Sequence, residues 1–199
     1  MTNDLLFVYG SFSEGMVHFA KISNYILETF PAQVRGTIYQ LEVGYPVLVD
    51  GGNDIVFGSV VKLKDADLLY KILDEFHGYS LTEPNKSLYL RSSFVANKVP
   101  SMEEIRVLGY TLNPVKLPRG ATKISDGNWL RAMSEQPSIL NTLTERHKGY
   151  IKKLAESDRR ETIVYPLDVC RDLERMQIIV DKGRRFALTN LGKEVSRFI

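Results

Sequence analysis

Two short segments of this chain carry residue types that could do chemistry. The first is Tyr9-Gly10-Ser11-Phe12, which follows the apolar run Leu5-Leu6-Phe7-Val8. A buried strand that stops at a glycine-containing loop can turn successive backbone N–H groups into a cavity. Such groups bind a carboxylate or an oxyanion without any charged side chain. Taken alone, the pattern reads more simply as a turn. The second segment is Leu73-Asp74-Glu75-Phe76-His77-Gly78-Tyr79. His77 falls in the last turn of an expected helix. An imidazole with its ordinary pKa of about 6.5 can act as acid or base near neutrality, and as a cation it would also favour the helix's terminal carbonyls. Asp74, three residues back on the same face, is placed to pair with His77, whereas Glu75 is rotated away. Tyr89, in Tyr89-Leu90-Arg91, is a further candidate that either lines a pocket or packs as an ordinary strand tyrosine.

The elements that must position these groups are legible as a β-rich beginning. Leu5 to Tyr9 reads as a buried strand, Ala20 to Phe30 as a helix or an irregular connector, and Val34 to Leu41 as a second strand containing Gly36. Tyr45 to Val49 runs into Asp50-Gly51-Gly52-Asn53-Asp54, a loop or hairpin signal ahead of a strand from Ile55 to Leu63. Asp65 is a candidate cap for a helix with Leu68, Leu69, Ile72, Leu73 and Phe76 on its apolar face, and Gly78 stops it. Leu88 to Ala96 and Ile105 to Leu112 have strand composition. Asn113 to Gly127 is loop-like, and a domain boundary is expected soon after, giving domains of 1–130 and 131–199. The second part reads as a long helix from Ser138 to Ser157, weakened by Gly149, then a helix from Leu167 to Met176 entered at Pro166. A hairpin around Asp181 to Arg184 and a last helix capped by Thr189 or Asn190 follow.

The 199 residues carry a net charge of +2 that is unevenly spread. Residues 1–130 hold 12 Lys and Arg against 14 Asp and Glu, a net −2, and residues 131–199 hold 14 against 10, a net +4. The single cysteine, Cys170, excludes an internal disulfide and a multi-cysteine zinc site. His18, His77 and His147 are scattered, so neither a metal site nor a cofactor is expected. No apolar run is long enough to span a membrane, and Met1-Thr2-Asn3-Asp4 is not a basic segment leading into an apolar one. The expected location is the cytoplasm.

With the loop and the helix end taken together, the chain resembles the gamma-glutamylcyclotransferase-like (AIG2-like) proteins. These open with a strand running into Y-G-[ST]-L-x-x-G and later carry L-D-x-x-E-G-Y, whose Glu is the general base. Here Phe12 replaces the usual Leu and His77 stands at the Glu position. Gly15, His18, the Tyr89-Leu90-Arg91 strand and Asp126-Gly127-Asn128-Trp129 extend the likeness. The resemblance implies an α+β fold, a mixed β-barrel with flanking helices. It implies substrate contacts from Tyr9, Gly10, Ser11, Phe12 and Tyr89, and a catalytic position at His77. The ligand it implies is a gamma-glutamyl amine or another amino-acid-derived small molecule, released as 5-oxoproline if the site is active. The helix, helix, hairpin, helix order of residues 131–199, with Gly183-Arg184-Arg185-Phe186-Ala187-Leu188-Thr189-Asn190-Leu191-Gly192, resembles a winged-helix domain. Alternative readings are a non-catalytic ligand-sensing or interaction protein, and a regulator contacting nucleic acid through Arg171, Arg175, Lys182, Arg184 and Arg185. Asp168, Asp172 and Glu174, on the helix from Leu167 to Met176, would repel phosphates, which favours a docking or dimerisation role for this part.

Overall fold

The computed structural model describes residues 3–135, 138–157, 164 and 166–199. It divides into two compact units, one of Met1–Leu41 with Tyr45–Glu135 and the other of Glu42–Gly44 with Gln136–Ile199.

In the first unit, β1 (Leu5–Val8) enters a 3-10 turn at Gly10–Phe12, then α1 (Ala20–Ser23), β2 (Ile26–Arg35), β3 (Thr37–Gln40), β4 (Pro46–Val49) and β5 (Ile55–Leu63). After these come α2 (Ala66–His77), β6 (Tyr89–Lys98), β7 (Glu104–Leu112), β8 (Thr122–Lys123) and α3 (Trp129–Glu135). Five strands close a barrel in the order β1-β5-β2-β6-β7. The four sequential neighbours pair antiparallel, and β7 closes on β1 in parallel at Leu6 opposite Leu108. A separate three-stranded sheet has the order β4-β3-β8.

Side-chain alternation along the strands divides the apolar residues into two sets. Phe7, Val34, Val56, Val60, Phe94 and Val107 form one buried cluster with residues from all five barrel strands, which only the barrel interior can collect. Leu6, Val8, Val61 and Leu63 turn the other way and pack with Leu69, Tyr70 and Leu73 of α2. This second cluster holds α2 against the barrel wall.

Several sequence expectations are corrected here. Only Ala20–Ser23 of the Ala20 to Phe30 segment is helical, and Ile26 onward is barrel strand, because β2 finds a partner in β5 from Ile26 opposite Leu63 to Arg35 opposite Ile55. The strand expected from Val34 to Leu41 is broken at Gly36, which separates β2 of the barrel from β3 of the smaller sheet. Asp65 starts α2 with its backbone carbonyl, which accepts from Leu68 and Leu69 N–H, while its side chain makes no capping bond. The buried face of α2 is Leu69, Tyr70 and Leu73, whereas Leu68, Ile72 and Phe76 are exposed. Tyr70 displaces the aliphatic residues because its ring fills the interface and its hydroxyl still reaches Leu5 O at 3.5 Å.

The second unit runs α4 (Ile139–Thr142), α5 (Glu145–Glu156), α6 (Leu167–Arg175), β9 (Ile179–Asp181), β10 (Phe186–Leu188) and α7 (Asn190–Val195). The expected single helix from Ser138 to Ser157 is two helices. Leu143 is extended, and Thr144 starts α5 with a reciprocal cap in which its hydroxyl accepts from His147 N–H and His147 Nδ1 accepts from Thr144 N–H. Ile151, Leu173, Ile178 and Val195 are buried in this unit. Ser138 Oγ donates to Val43 O at 2.7 Å, which ties the Glu42–Gly44 segment in place. β9 and β10 form an antiparallel hairpin, and the Thr189 hydroxyl caps α7 by accepting from Gly192 N–H.

Candidate functional site

The loop after β1 is shaped by Gly10. Its φ of +63° lies in the left-handed region, and a Cβ there would come within 2.6 Å of Pro46 Cγ. The turn closes when Phe12 N–H donates to Tyr9 O at 3.3 Å and Ser13 N–H to Gly10 O at 3.0 Å. The N–H groups of Gly10 and Ser11 come first in this turn and close no part of it. His18 steadies Ser11 at two atoms. Its backbone N–H donates to Ser11 O, and its ring Nδ1 lies 2.9 Å from Ser11 Oγ. Burial, with help from the charge of Lys21, lowers the His18 pKa. The Tyr9 hydroxyl is committed to the backbone, accepting from Leu48 N–H at 2.9 Å and donating to Tyr110 O at 3.3 Å. Burial raises its pKa.

His77 occupies the last turn of α2, which ends at Gly78 in the left-handed conformation. Its Nδ1 is 2.8 Å from Leu73 O, one turn back. A carbonyl oxygen can only accept, so Nδ1 carries the proton and Nε2 keeps its lone pair in the neutral ring. The ring stacks nearly parallel on Tyr110, with centroids 4.1 Å apart and planes 5° apart, and on Phe12 at 5.4 Å. The rings of Tyr89 and Phe76 meet it edgewise at 5.1 Å each. Burial pushes the His77 pKa down to about 4; the Leu73 hydrogen bond opposes this and His18 adds to it. At neutral pH the imidazole is therefore uncharged.

Asp74 does not pair with His77 as its spacing suggested. Its carboxylate is taken by Arg91 Nη1 at 2.9 Å and by the Tyr110 hydroxyl, which donates to Oδ1 at 2.6 Å. Strand register explains the choice. Arg91 of β6 lies directly opposite Tyr110 of β7, so both side chains rise from neighbouring points on the face that α2 covers. The guanidinium also lies over the rings of Tyr70 and Tyr79 at 5.2 and 5.4 Å. Burial, and next the hydrogen bond to Asp74, raise the Tyr110 pKa. Tyr89, two residues before Arg91 on the same strand face, has its pKa pushed up to about 12 by burial.

Phe12, His77 and Tyr89 thus come into ring contact, Ser11 is held beside them through His18, and Gly10 sets the turn. Tyr9 supports the loop through backbone contacts. Sequence reading missed Tyr110, whose part depends on the β6–β7 register. Among the described residues, no group of three or more His, Cys, Asp and Glu is arranged to hold a metal ion, and no helix is long and apolar enough to cross a membrane.

The first unit is thus a closed mixed five-stranded barrel with a glycine turn at one strand end and a flanking helix that ends at His77. The profile of the family described as "Gamma-glutamyl cyclotransferase, AIG2-like" matches residues 6–131, and the chain belongs to this family. YkqA from Bacillus subtilis is 20% identical with a TM-score of 0.50, over 69% of this chain and 44% of that one. The urea amidolyase of K. lactis is 13% identical with a TM-score of 0.51, over 88% of this chain and 10% of that one. An AIG2-like protein from Mus musculus is 17% identical with a TM-score of 0.46, over 60% of this chain and 82% of that one. This chain therefore spans less than half the length of the Bacillus protein it resembles. No curated protein matches it.

Proposed function

We propose that the Tyr9–Phe12 loop and the His77 end of α2 form a binding site for a gamma-glutamyl amine or a similar amino-acid-derived small molecule. The observation that supports it most is the closure of the loop on the helix end, with the Phe12 ring 5.4 Å from that of His77. The Gly10 and Ser11 N–H groups would donate to the ligand's carboxylate, and Phe12 and Tyr89 would flank its carbon chain.

Cyclisation of such a ligand requires a base to take a proton from the α-amino group. The amine then attacks the side-chain amide carbonyl, the bond to the leaving amine breaks, and 5-oxoproline forms. In His77 the lone pair for this is on Nε2. Moving a proton from an α-ammonium with a pKa of about 8 to an imidazole with a pKa near 4 is uphill by roughly 4 units, on the order of 5 kcal/mol. A base works best when its pKa lies near the working pH, so His77 serves this step poorly. Ligand binding is the principal role in this reading, and turnover by His77 is slow. Titration of the protein with gamma-glutamyl amines, alongside an assay for 5-oxoproline release, tests both parts. Turnover at the rates usual for enzymes, lost in His77→Ala with binding kept, would make His77 the base and reject the binding role.

We propose a docking role for the second unit in preference to nucleic-acid recognition. Asp168 pairs with Arg146 at 2.8 Å, and Asp172 lies 3.8 Å from Arg175 and 3.6 Å from His147. The acidic side chains of α6 thus compete with phosphates for the cations around them.

A further inference from the structure

The fixed proton on His77 has a consequence for the kind of ligand its ring can face. Nδ1 donates to Leu73 O, so Nε2 presents a hydrogen-bond acceptor without charge. The ring is walled by Tyr110, Phe12, Tyr89 and Phe76. Asp74, one turn back, is engaged by Arg91 and Tyr110. Among the described residues no carboxylate makes a hydrogen bond or ion pair with His77 or His18. Lys21 Nζ lies 5.2 Å from the centroid of Phe76. Phe76 in turn touches both His18 and His77. An ammonium brought here would lose water and meet a neutral acceptor and a nearby positive charge. A cation against aromatic rings gains less than desolvating an uncompensated ammonium costs. A neutral N–H donor meets the same acceptor with no such cost.

We propose that this site prefers a carboxylate ligand whose adjacent nitrogen is a neutral N–H donor, a lactam such as 5-oxoproline or an N-acyl-α-amino acid, over one bearing a free α-ammonium. The inference rests on the reading that the Tyr9–Phe12 loop and His77 form the ligand site. It adds that a neutral imidazole at this position turns selectivity from the open amine toward its cyclised or acylated form. His77 is the specificity-determining residue. The free protein already holds its ring in the required tautomer.

The 199-residue chain is titrated with 5-oxoproline, N-acetylglutamine and glutamine at pH 7, with calorimetry for affinity and ¹⁵N NMR of the histidine rings as the local readout. The expected result is binding of 5-oxoproline and N-acetylglutamine at least about tenfold tighter than glutamine, the scale on which a missing or mismatched polar partner discriminates. The His77 Nε2 resonance should move on binding more than Nδ1. His77→Glu should reverse the order, and His77→Gln, which remains neutral, should keep it. Glutamine binding as tightly as the other two in wild type overturns the inference and leaves the site reading standing. So does a wild-type preference that leaves the His77 resonances unmoved. Failure of all three to bind overturns the inference together with the site reading.

Discussion

The imidazole of His77 lies on the phenol ring of Tyr110, centroids 4.1 Å apart and planes within 5° of parallel, while the Tyr110 hydroxyl reaches past it to Asp74. One tyrosine therefore fixes the plane of the histidine and holds the carboxylate that its spacing had assigned to that histidine. The result is a neutral ring in a rigid setting. Three kinds of contact define it: a backbone hydrogen bond at Nδ1, a stacked phenol, and edge contacts from Tyr89 and Phe76.

Substitution of His77, the residue proposed to face the ligand, gives the first prediction. Wild-type protein should release little 5-oxoproline from gamma-glutamyl amines, His77→Ala should change that little, and His77→Glu should raise it. General-base catalysis contributes on the order of 10²–10⁴-fold, so even partial recovery is measurable by product assay. No gain in a folded His77→Glu protein would show that a carboxylate at position 77 does not suffice for turnover.

Stability should depend on pH through His77. Its folded pKa of about 4 lies below the unfolded value of 6.5, so the unfolded chain binds more protons between these limits. Stability from this group is full above pH 6.5 and is lost as pH falls toward 4. His18, also lowered, acts in the same direction. The slope contributed by one such proton is at most about 1.4 kcal/mol per pH unit. Denaturant melts from pH 4 to 8 should show the slope, and His77→Gln should flatten it by about one proton.

Tyr110→Phe should keep the ring stacked on His77 but remove one partner of the Asp74 carboxylate. The cost expected for such a loss in a partly buried network is about 1–3 kcal/mol, read as a lower Tm. Ligand affinity should change much less than stability. A fall in affinity with Tm unchanged would place the hydroxyl in ligand contact.

The two units should be separable. Residue 130 lies inside α3, so a truncation ending at Glu135 keeps that helix whole and keeps Trp129 in the barrel cluster. Such a fragment should remain soluble and melt cooperatively. Its Val43 carbonyl loses the Ser138 hydroxyl, at a cost of about 1 kcal/mol. Loss of cooperative melting would mean that the first unit cannot close its core alone.

Binding of duplex DNA should be weak and should vanish as salt rises through the physiological range, because any phosphate contacts made by Arg171, Lys182, Arg184 and Arg185 release counterions. Sequence-specific binding in the nanomolar range at physiological salt, measured by fluorescence anisotropy, would instead favour the regulator reading.

The sequence by itself determined the pieces of the site. Leu5 to Tyr9 had to be a buried strand, Gly10 the place where it turns, the stretch between Asp65 and Gly78 an amphipathic helix, and Gly78 its end, because composition, spacing and glycine's freedom at positive φ act locally. The motifs also identified the family. The extent of β2, which contains Glu28 and Pro31, was not legible locally, and the segment is a strand because β5 offers it partners from Ile26 to Arg35. The inner face of α2 was misread for a related reason: helical periodicity ranks aliphatic residues, whereas the barrel wall accepted Tyr70 and left Leu68 outside. The partner of Asp74 was decided by tertiary structure alone, since Arg91 and Tyr110 lie 17 and 36 residues away along the chain and meet only through strand register. The protonation of His77 was decided in the same way, by rings that a folded barrel brings around it and by the water they displace.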